Sequence, residues 1–175
     1  GTVGHSLREA YGAVFPHAHF TVWNRSPEGA AAFQAACPDV AIATDLEAAV
    51  KDADIVTVAT MSTAPLIKGA WLQPGQHIDL IGAYRPDMRE VDDLALQRAR
   101  VFVDSRETTI GHIGEFKIPI AAGAFHADDV IADYYAMERF HRQSADEITL
   151  FKNGGGAHLD LMTSRYILEA WAKSG

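Results

Sequence analysis

Cysteine is nearly absent from this chain. Cys37 stands alone among 175 residues, so neither an intrachain disulfide framework nor a thiolate zinc site can form. A reducing, cytoplasmic setting is the matching expectation. Long apolar runs are absent too, and nothing approaches the roughly 18 residues of a spanning helix. Positive charge is short: 15 Lys and Arg face 23 Asp and Glu, a net charge of −8. A nucleic-acid coat needs a basic surface, so neither nucleic acid nor membrane is expected as a partner. A local basic site for one phosphate remains compatible with that balance. Repeats, low-complexity tracts and flexible linkers are also missing. The eight histidines are scattered, and His17 and His19 share a face only in an extended stretch, so no metal site is expected. What remains is 48% hydrophobic and 22% charged, the composition of an ordinary globular domain.

Short apolar runs recur between helix-like segments. His19–Trp23, Ile55–Ala59, His77–Ile81, Val101–Val103 and Ile148–Phe151 read as strands, several of them apolar throughout, as in strands covered on both faces. Val3, Leu7, Ala10, Tyr11 and Val14 form one helical stripe. Ser26-Pro27-Glu28 opens a second helix, with a polar cap followed by proline. Thr44-Asp45-Leu46-Glu47 has capping-box spacing and starts a third. This alternation predicts an α/β fold with a doubly wound parallel sheet.

Gly1-Thr2-Val3-Gly4 runs directly into the first helix without a preceding strand. A glycine-rich strand-to-helix turn normally follows a strand, which aims it. These residues resemble the end of such a turn, so the chain reads as a piece of a longer protein. In that reading Gly1 admits a pyrophosphate to the backbone, and Gly4 lets the helix approach the sheet. The next strand ends Trp23-Asn24-Arg25-Ser26, with no acid to accept a ribose 2′-hydroxyl. Arg25 suits a 2′-phosphate, Asn24 the ribose and Ser26 an added hydroxyl, which favours NADP(H), with NAD(H) as the lesser option. Ser26 equally suits a helix cap. Thr60, Met61 and Ser62 end the Ile55 strand, at the edge where such sheets bind ligands, and they also suit a plain turn before Pro65.

Six segments, in order, resemble the ornithine cyclodeaminase/mu-crystallin family over essentially the whole chain. They are Ala53-Asp54-Ile55-Val56, Pro65-Leu66-Ile67-Lys68-Gly69, and Ile81-Gly82-Ala83-Tyr84-Arg85-Pro86-Asp87-Met88-Arg89-Glu90. Val101-Phe102-Val103-Asp104, Gly114-Glu115-Phe116 and Glu147-Ile148-Thr149-Leu150-Phe151-Lys152 complete the set. The resemblance implies a three-layer Rossmann-type domain over residues 1–155 that lacks its first strand, and a C-terminal helix over 156–175. It further implies a homodimer built through a substrate and dimerisation domain outside this chain. The implied partner is a small amino-acid or imino-acid substrate. Gly82 and Ala83 would then let a nicotinamide approach the sheet edge, while Asn153 suits either a donor to the cofactor's carboxamide or phosphate or a plain turn with the glycines after it.

Two positions depart from that family. Tyr84 stands where the cyclodeaminases carry a catalytic aspartate after Gly-Gly, and a tyrosine of ordinary pKa, about 10, is a poor substitute for a carboxylate at neutral pH. Asn153-Gly154-Gly155-Gly156 replaces a serine and a less glycine-rich turn. No catalytic residue is assigned from the sequence. The leading expectation is NADPH-dependent reduction of a cyclic imino acid or ketimine, or the reverse oxidation. The alternatives are ornithine cyclodeamination with bound NAD, and a non-catalytic NADP-dependent ligand binder. Glu90 and Asp104 read as structural, Asp160 as a cap or cleft residue, and His158, near the glycine turn, as a surface residue of the last helix or one that faces the cleft. Leu159, Met162, Tyr166, Ile167, Ala170 and Trp171 form an apolar stripe whose simple reading is core packing, with part of it lying against the second domain if the chain is a piece of a longer protein.

Overall fold

The computed structural model describes residues 1–174. In chain order the elements are α1 (Thr2–Val14), β1 (Phe20–Val22), α2 (Pro27–Ala36), β2 (Val40–Ile42), α3 (Leu46–Asp52), β3 (Ile55–Val58) and β4 (His77–Leu80). They continue with α4 (Asp93–Arg98), β5 (Arg100–Val103), α5 (Arg106–Thr109), α6 (Gly114–Ala121), β6 (Val130–Ala132), β7 (Thr149–Lys152) and α7 (Ala157–Ser174). Every strand pair is parallel. Strands β3-β4-β7-β5-β6 form one sheet and β1-β2 another, with no hydrogen bonds between the two. The break falls between the strand carrying Val22 and the strand carrying Ile55.

Local chemistry explains the starts of α2 and α3. Ser26 Oγ accepts the Gly29 N–H at 3.1 Å, and Pro27 follows as the first helical residue of α2. Helix α3 is capped by Asp45, whose Oδ1 accepts the Ala48 N–H at 3.1 Å. The expected cap at Thr44 therefore moves one residue, because the aspartate side chain reaches the third N–H from Asp45. Strand boundaries also shift by about one residue, and β2 and β6 were not foreseen. Each has three residues, too few to show a period.

Register places Val56, Ile78, Leu150 and Val101 in one row, and Val58, Leu80, Lys152 and Val103 in the next. Both rows face the main core, with Val50, Leu72, Leu96 and Phe116 packed against them. Burying one such side chain contributes about 1.5–3 kcal/mol. A lysine in the second row is the exception that matters for the site.

On the opposite face, α1 links the two sheets. Its Tyr11 hydroxyl donates to Asp79 Oδ2 on β4 at 3.1 Å. Toward β1 and β2, Arg8 pairs with Asp39, and His5 stacks on Phe33 with centroids 4.3 Å apart. Gly4 lies against that same Phe33, 3.2 Å from where its Cβ would be. Its smallness serves helix–helix packing against α2, which corrects the expectation of close approach to the sheet.

Gly69 shows how tightly the loop after β3 is docked. A Cβ there would fall 2.3 Å from Ala95 N and 2.4 Å from Leu94 C, at the start of α4. The Gly69 N–H also donates to Asp92 Oδ1 at 2.8 Å, the oxygen that caps α4. Gly69→Ala is therefore expected to lower stability by about 1–3 kcal/mol or more. Gly111→Ala, with nothing within 4 Å, should change it by less than about 0.5 kcal/mol. Denaturant midpoints of the two variants measure the difference.

Candidate functional site

The C-terminal ends of β3, β4 and β7 carry the three segments singled out from the sequence: Thr60–Ser62, Gly82–Tyr84 and Asn153–Gly156. One side chain holds the first two together. Glu90 is fully buried. Its Oε1 accepts the Thr60 N–H at 2.7 Å and the Thr60 hydroxyl at 2.9 Å, while Oε2 accepts the Gly82 and Ala83 N–H groups at 2.9 and 3.1 Å. Gly82 is required there, since its Cβ would sit 2.1 Å from both Thr60 N and Thr60 O. The two strand ends touch backbone to backbone.

Beneath this clamp lies a second acid. Glu115, at the start of α6, accepts the Glu90 N–H at 2.8 Å and the Val91 N–H at 3.0 Å. Burial pushes its carboxyl up to about 7, against the two backbone donors, which favour the charged form. Lys152 is fully enclosed as well, and its Nζ donates to the Leu80 and Asn153 carbonyls at 3.2 and 2.9 Å. Burial lowers its pKa, while Glu90, Glu115, Asp104 and Asp79 hold its charge in place. The sequence reading found Glu90 as structural but missed Glu115 and Lys152 as its partners. A lysine ending an apolar strand, close to two acids inside apolar segments, was the available signal.

The expected contact residues divide. The Thr60 hydroxyl is committed to Glu90, and the Ser62 hydroxyl to the Ala64 carbonyl at 2.7 Å. Met61 is exposed. Asn24 Oδ1 accepts the Ser26 N–H at 3.2 Å, and Ser26 spends its hydroxyl on the α2 cap. Arg25 is exposed beside them. Gly1 precedes α1 with no side-chain cap and no atom within 4 Å of its Cβ position, while Thr2 and Val3 open the helix, exposed. Asn153 Oδ1 accepts the Gly155 N–H at 2.8 Å, and Gly155 has φ of 72°. This is the turn role expected of an Asn-Gly sequence.

Tyr84 is 58% exposed at the rim, with the Arg85 guanidinium 6.0 Å from its ring centre. Asp87 is drawn into a two-pronged pair with Arg85, at 3.1 and 3.2 Å. Asp160, His17 and His19 are exposed, and no metal-binding cluster occurs among the described residues. His158 departs from the surface reading. Its side chain is only 18% exposed, because the glycine turn folds it back toward Asp104. An apolar concavity of about 350 Å³ lies on the sheet face that carries His77 and Phe151, and none of the expected residues lines it.

A parallel sheet whose ligand edge is built from glycine turns and a helix N-terminus is a Rossmann-type nucleotide-binding architecture. The family model for the ornithine cyclodeaminase/mu-crystallin family matches residues 1–175, and the chain belongs to that family. It is 53% identical over 183 residues to the Delta(1)-pyrroline-2-carboxylate reductase of Paracoccus denitrificans, covering 98% of this chain and 57% of that protein. The chain thus spans a little over half the length of such relatives. Among solved structures, an archaeal alanine dehydrogenase dimer with bound NAD superposes with a TM-score of 0.88 at 28% identity, over 100% of this chain and 56% of that one. The Delta(1)-pyrroline-2-carboxylate reductase of Thermococcus litoralis, in complex with NADH and L-proline, gives a TM-score of 0.72 at 28% identity, over 77% of this chain and 44% of that one.

Glu115 makes stability depend on pH. Its carboxyl is raised from 4.5 to about 7 in the fold, so the folded state holds an extra proton between those values. Its contribution is present below pH 4.5 and is lost as pH rises toward 7, by up to about 3 kcal/mol. Glu115→Gln is expected to be less stable at acid pH, because its amide cannot accept both N–H groups, and to lack this decline. Denaturation midpoints between pH 4.5 and 7 compare the two.

Proposed function

We propose that this chain is the cofactor-binding part of an NAD(P)-dependent reductase acting on a cyclic imino acid or ketimine. The carrying observation is the pair of strand ends locked by Glu90 with Tyr84, not a carboxylate, at their rim. The reductases named above support the same substrate class.

The residues fit a dinucleotide. The N-terminus of α1 has no side-chain cap and presents its first N–H groups beside Gly1, the donor set a pyrophosphate uses. Asn24 and Arg25 stand at the end of β1, where an adenosine ribose is read. Gly82 offers bare main chain to the nicotinamide, whereas Ala83, against the expectation from sequence, is fully buried against Met88 and Ile113 and supports the turn from within. The cofactor, when bound, supplies the hydride. The protein's share is a rigid edge that holds its place, since Thr60, Gly82 and Ala83 are fixed by one buried carboxylate. In this reading the exposed face of α7, with Met162 at 64% and Trp171 at 77%, lies against the substrate and dimerisation domain, and the working unit is a homodimer.

Arg25 carries the preference for NADP(H), as no acid accompanies it. Arg25→Ala is expected to weaken NADPH binding by about 1–3 kcal/mol, the scale of a charged hydrogen bond, and to leave NADH nearly unchanged. Fluorescence titration with each cofactor tests this, and equal losses would refute it.

The reductase reading has its own test. Cyclodeamination needs a group that activates a nucleophile and moves protons at the reacting carbon. Tyr84 occupies that place and Asp87 is tied to Arg85. The full-length protein is expected to oxidise NADPH with a cyclic imino acid and to release no ammonia from ornithine. Ammonia release matched by proline formation, surviving in Tyr84→Phe, would overturn both the reaction class and the role given to Tyr84.

A further inference from the structure

His158 is a titratable side chain at the ligand edge that the Glu90 clamp does not use. Its Nε2 is a buried atom without a hydrogen-bond partner among the described residues, 3.9 Å from Asp104 Oδ2. Asp104 is fully buried and fixed. Its Oδ1 accepts the Ser105 N–H at 2.9 Å and the Thr109 hydroxyl at 2.8 Å, and Oδ2 accepts the Gly155 N–H at 3.1 Å. Carboxylate–imidazole contacts of this kind are often long before substrate binds.

The other edge of the ring lies over bare backbone. A Cβ on Gly156 would fall 2.7 Å from His158 Nδ1 and Cε1, and 3.0 Å from Thr108 Oγ1, a second buried polar atom without a partner. Tyr134 meets the ring edge-on at 6.1 Å and Tyr135 lies at 6.4 Å, so the imidazole is held from the side as well. Asp104 and these two tyrosines are the titratable groups that face it. Asp160, two residues along α7 and so on another face of the helix, is exposed. Asp104 follows β5, and β7 lies between β5 and β4, whose end carries Gly82 and Ala83. Imidazole and nicotinamide turn thus flank one strand end.

We propose that Asp104 and His158 form the proton-donating pair of the imine reduction, an inference that rests on the reductase reading above. Asp104 holds Nε2–H and leaves Nδ1 to face the substrate, the division of labour by which a carboxylate fixes a histidine's tautomer. The Nδ1–H bond breaks as the imine nitrogen's lone pair takes the proton. The resulting iminium carbon accepts the hydride, and its C=N electron pair returns to nitrogen, giving the amine. The neutral imidazole regains its proton from solvent.

Full-length His158→Gln is the discriminating variant, since Asp104 also holds Gly155 and Thr109. With NADPH and a cyclic imino acid, kcat is expected to fall about 100-fold or more, the usual share of a general acid. KM and NADPH affinity should stay within about threefold, less than the loss of one charged contact would cause. The alkaline limb of the kcat–pH profile should vanish, and added imidazole should restore activity to His158→Ala. Independently of turnover, nitrogen NMR of the labelled wild type, with His158 assigned by its loss in the variant, should show the Nε2–H tautomer. A kcat within twofold of wild type, a loss confined to KM, or an Nδ1–H tautomer would overturn the proposal. A wild type that reduces no imino acid would overturn the reductase reading instead, and the tautomer would still report whether Asp104 holds the ring.

Discussion

Four donors converge on one buried carboxylate, and the candidate site depends on that convergence. Glu90 takes main-chain N–H groups from the ends of two neighbouring strands and the hydroxyl of Thr60, leaving neither oxygen with a single partner. An N–H left unpaired in this interior would cost about 1–3 kcal/mol, so the acid and the turns specify each other. Glu115 repeats the device one layer down, holding the backbone of Glu90 itself. Lys152, in a row otherwise made of Val58, Leu80 and Val103, places a cation beneath both acids. A buried polar network of this kind repays its desolvation only when its members are satisfied.

The clamp has a consequence for recognition. Because Thr60 and Ser62 spend their hydroxyls internally, the edge they form presents main chain and no free hydroxyl donor. Gly82 serves the same end: with 2.1 Å between its Cβ position and the Thr60 main chain, a larger residue would pry the turns apart. The flexible charge at this edge is left to Arg85, which engages Asp87 and lies against Tyr84.

Much of this was legible in the sequence. Apolar runs located five of seven strands, because strands covered on both faces lose their alternation and stand out. The α2 start was legible down to its cap, since Ser26 and Pro27 act within one turn of chain. The three strand-end segments were also legible, as hydroxyl and glycine turns after strands. Strands β2 and β6 were not, being too short to show a period. Glu115 was not either, because acids in apolar segments look alike until partners 25 residues away are known.

The sequence by itself determined the alternation of strands and helices, the parallel fold class and the family, since each of these rests on local pattern or on short segments in order. Tertiary structure alone decided which polar residues work together. It turned Thr60 inward to Glu90, set Gly4 against Phe33, and folded His158 over Gly156 toward Asp104. Hydrogen bonds and packing act over a few ångströms, and which residues come that close is set by long-range placement: the insertion of β7 between β4 and β5, which brings His158 beside Asp104, is a pairing that no local pattern encodes.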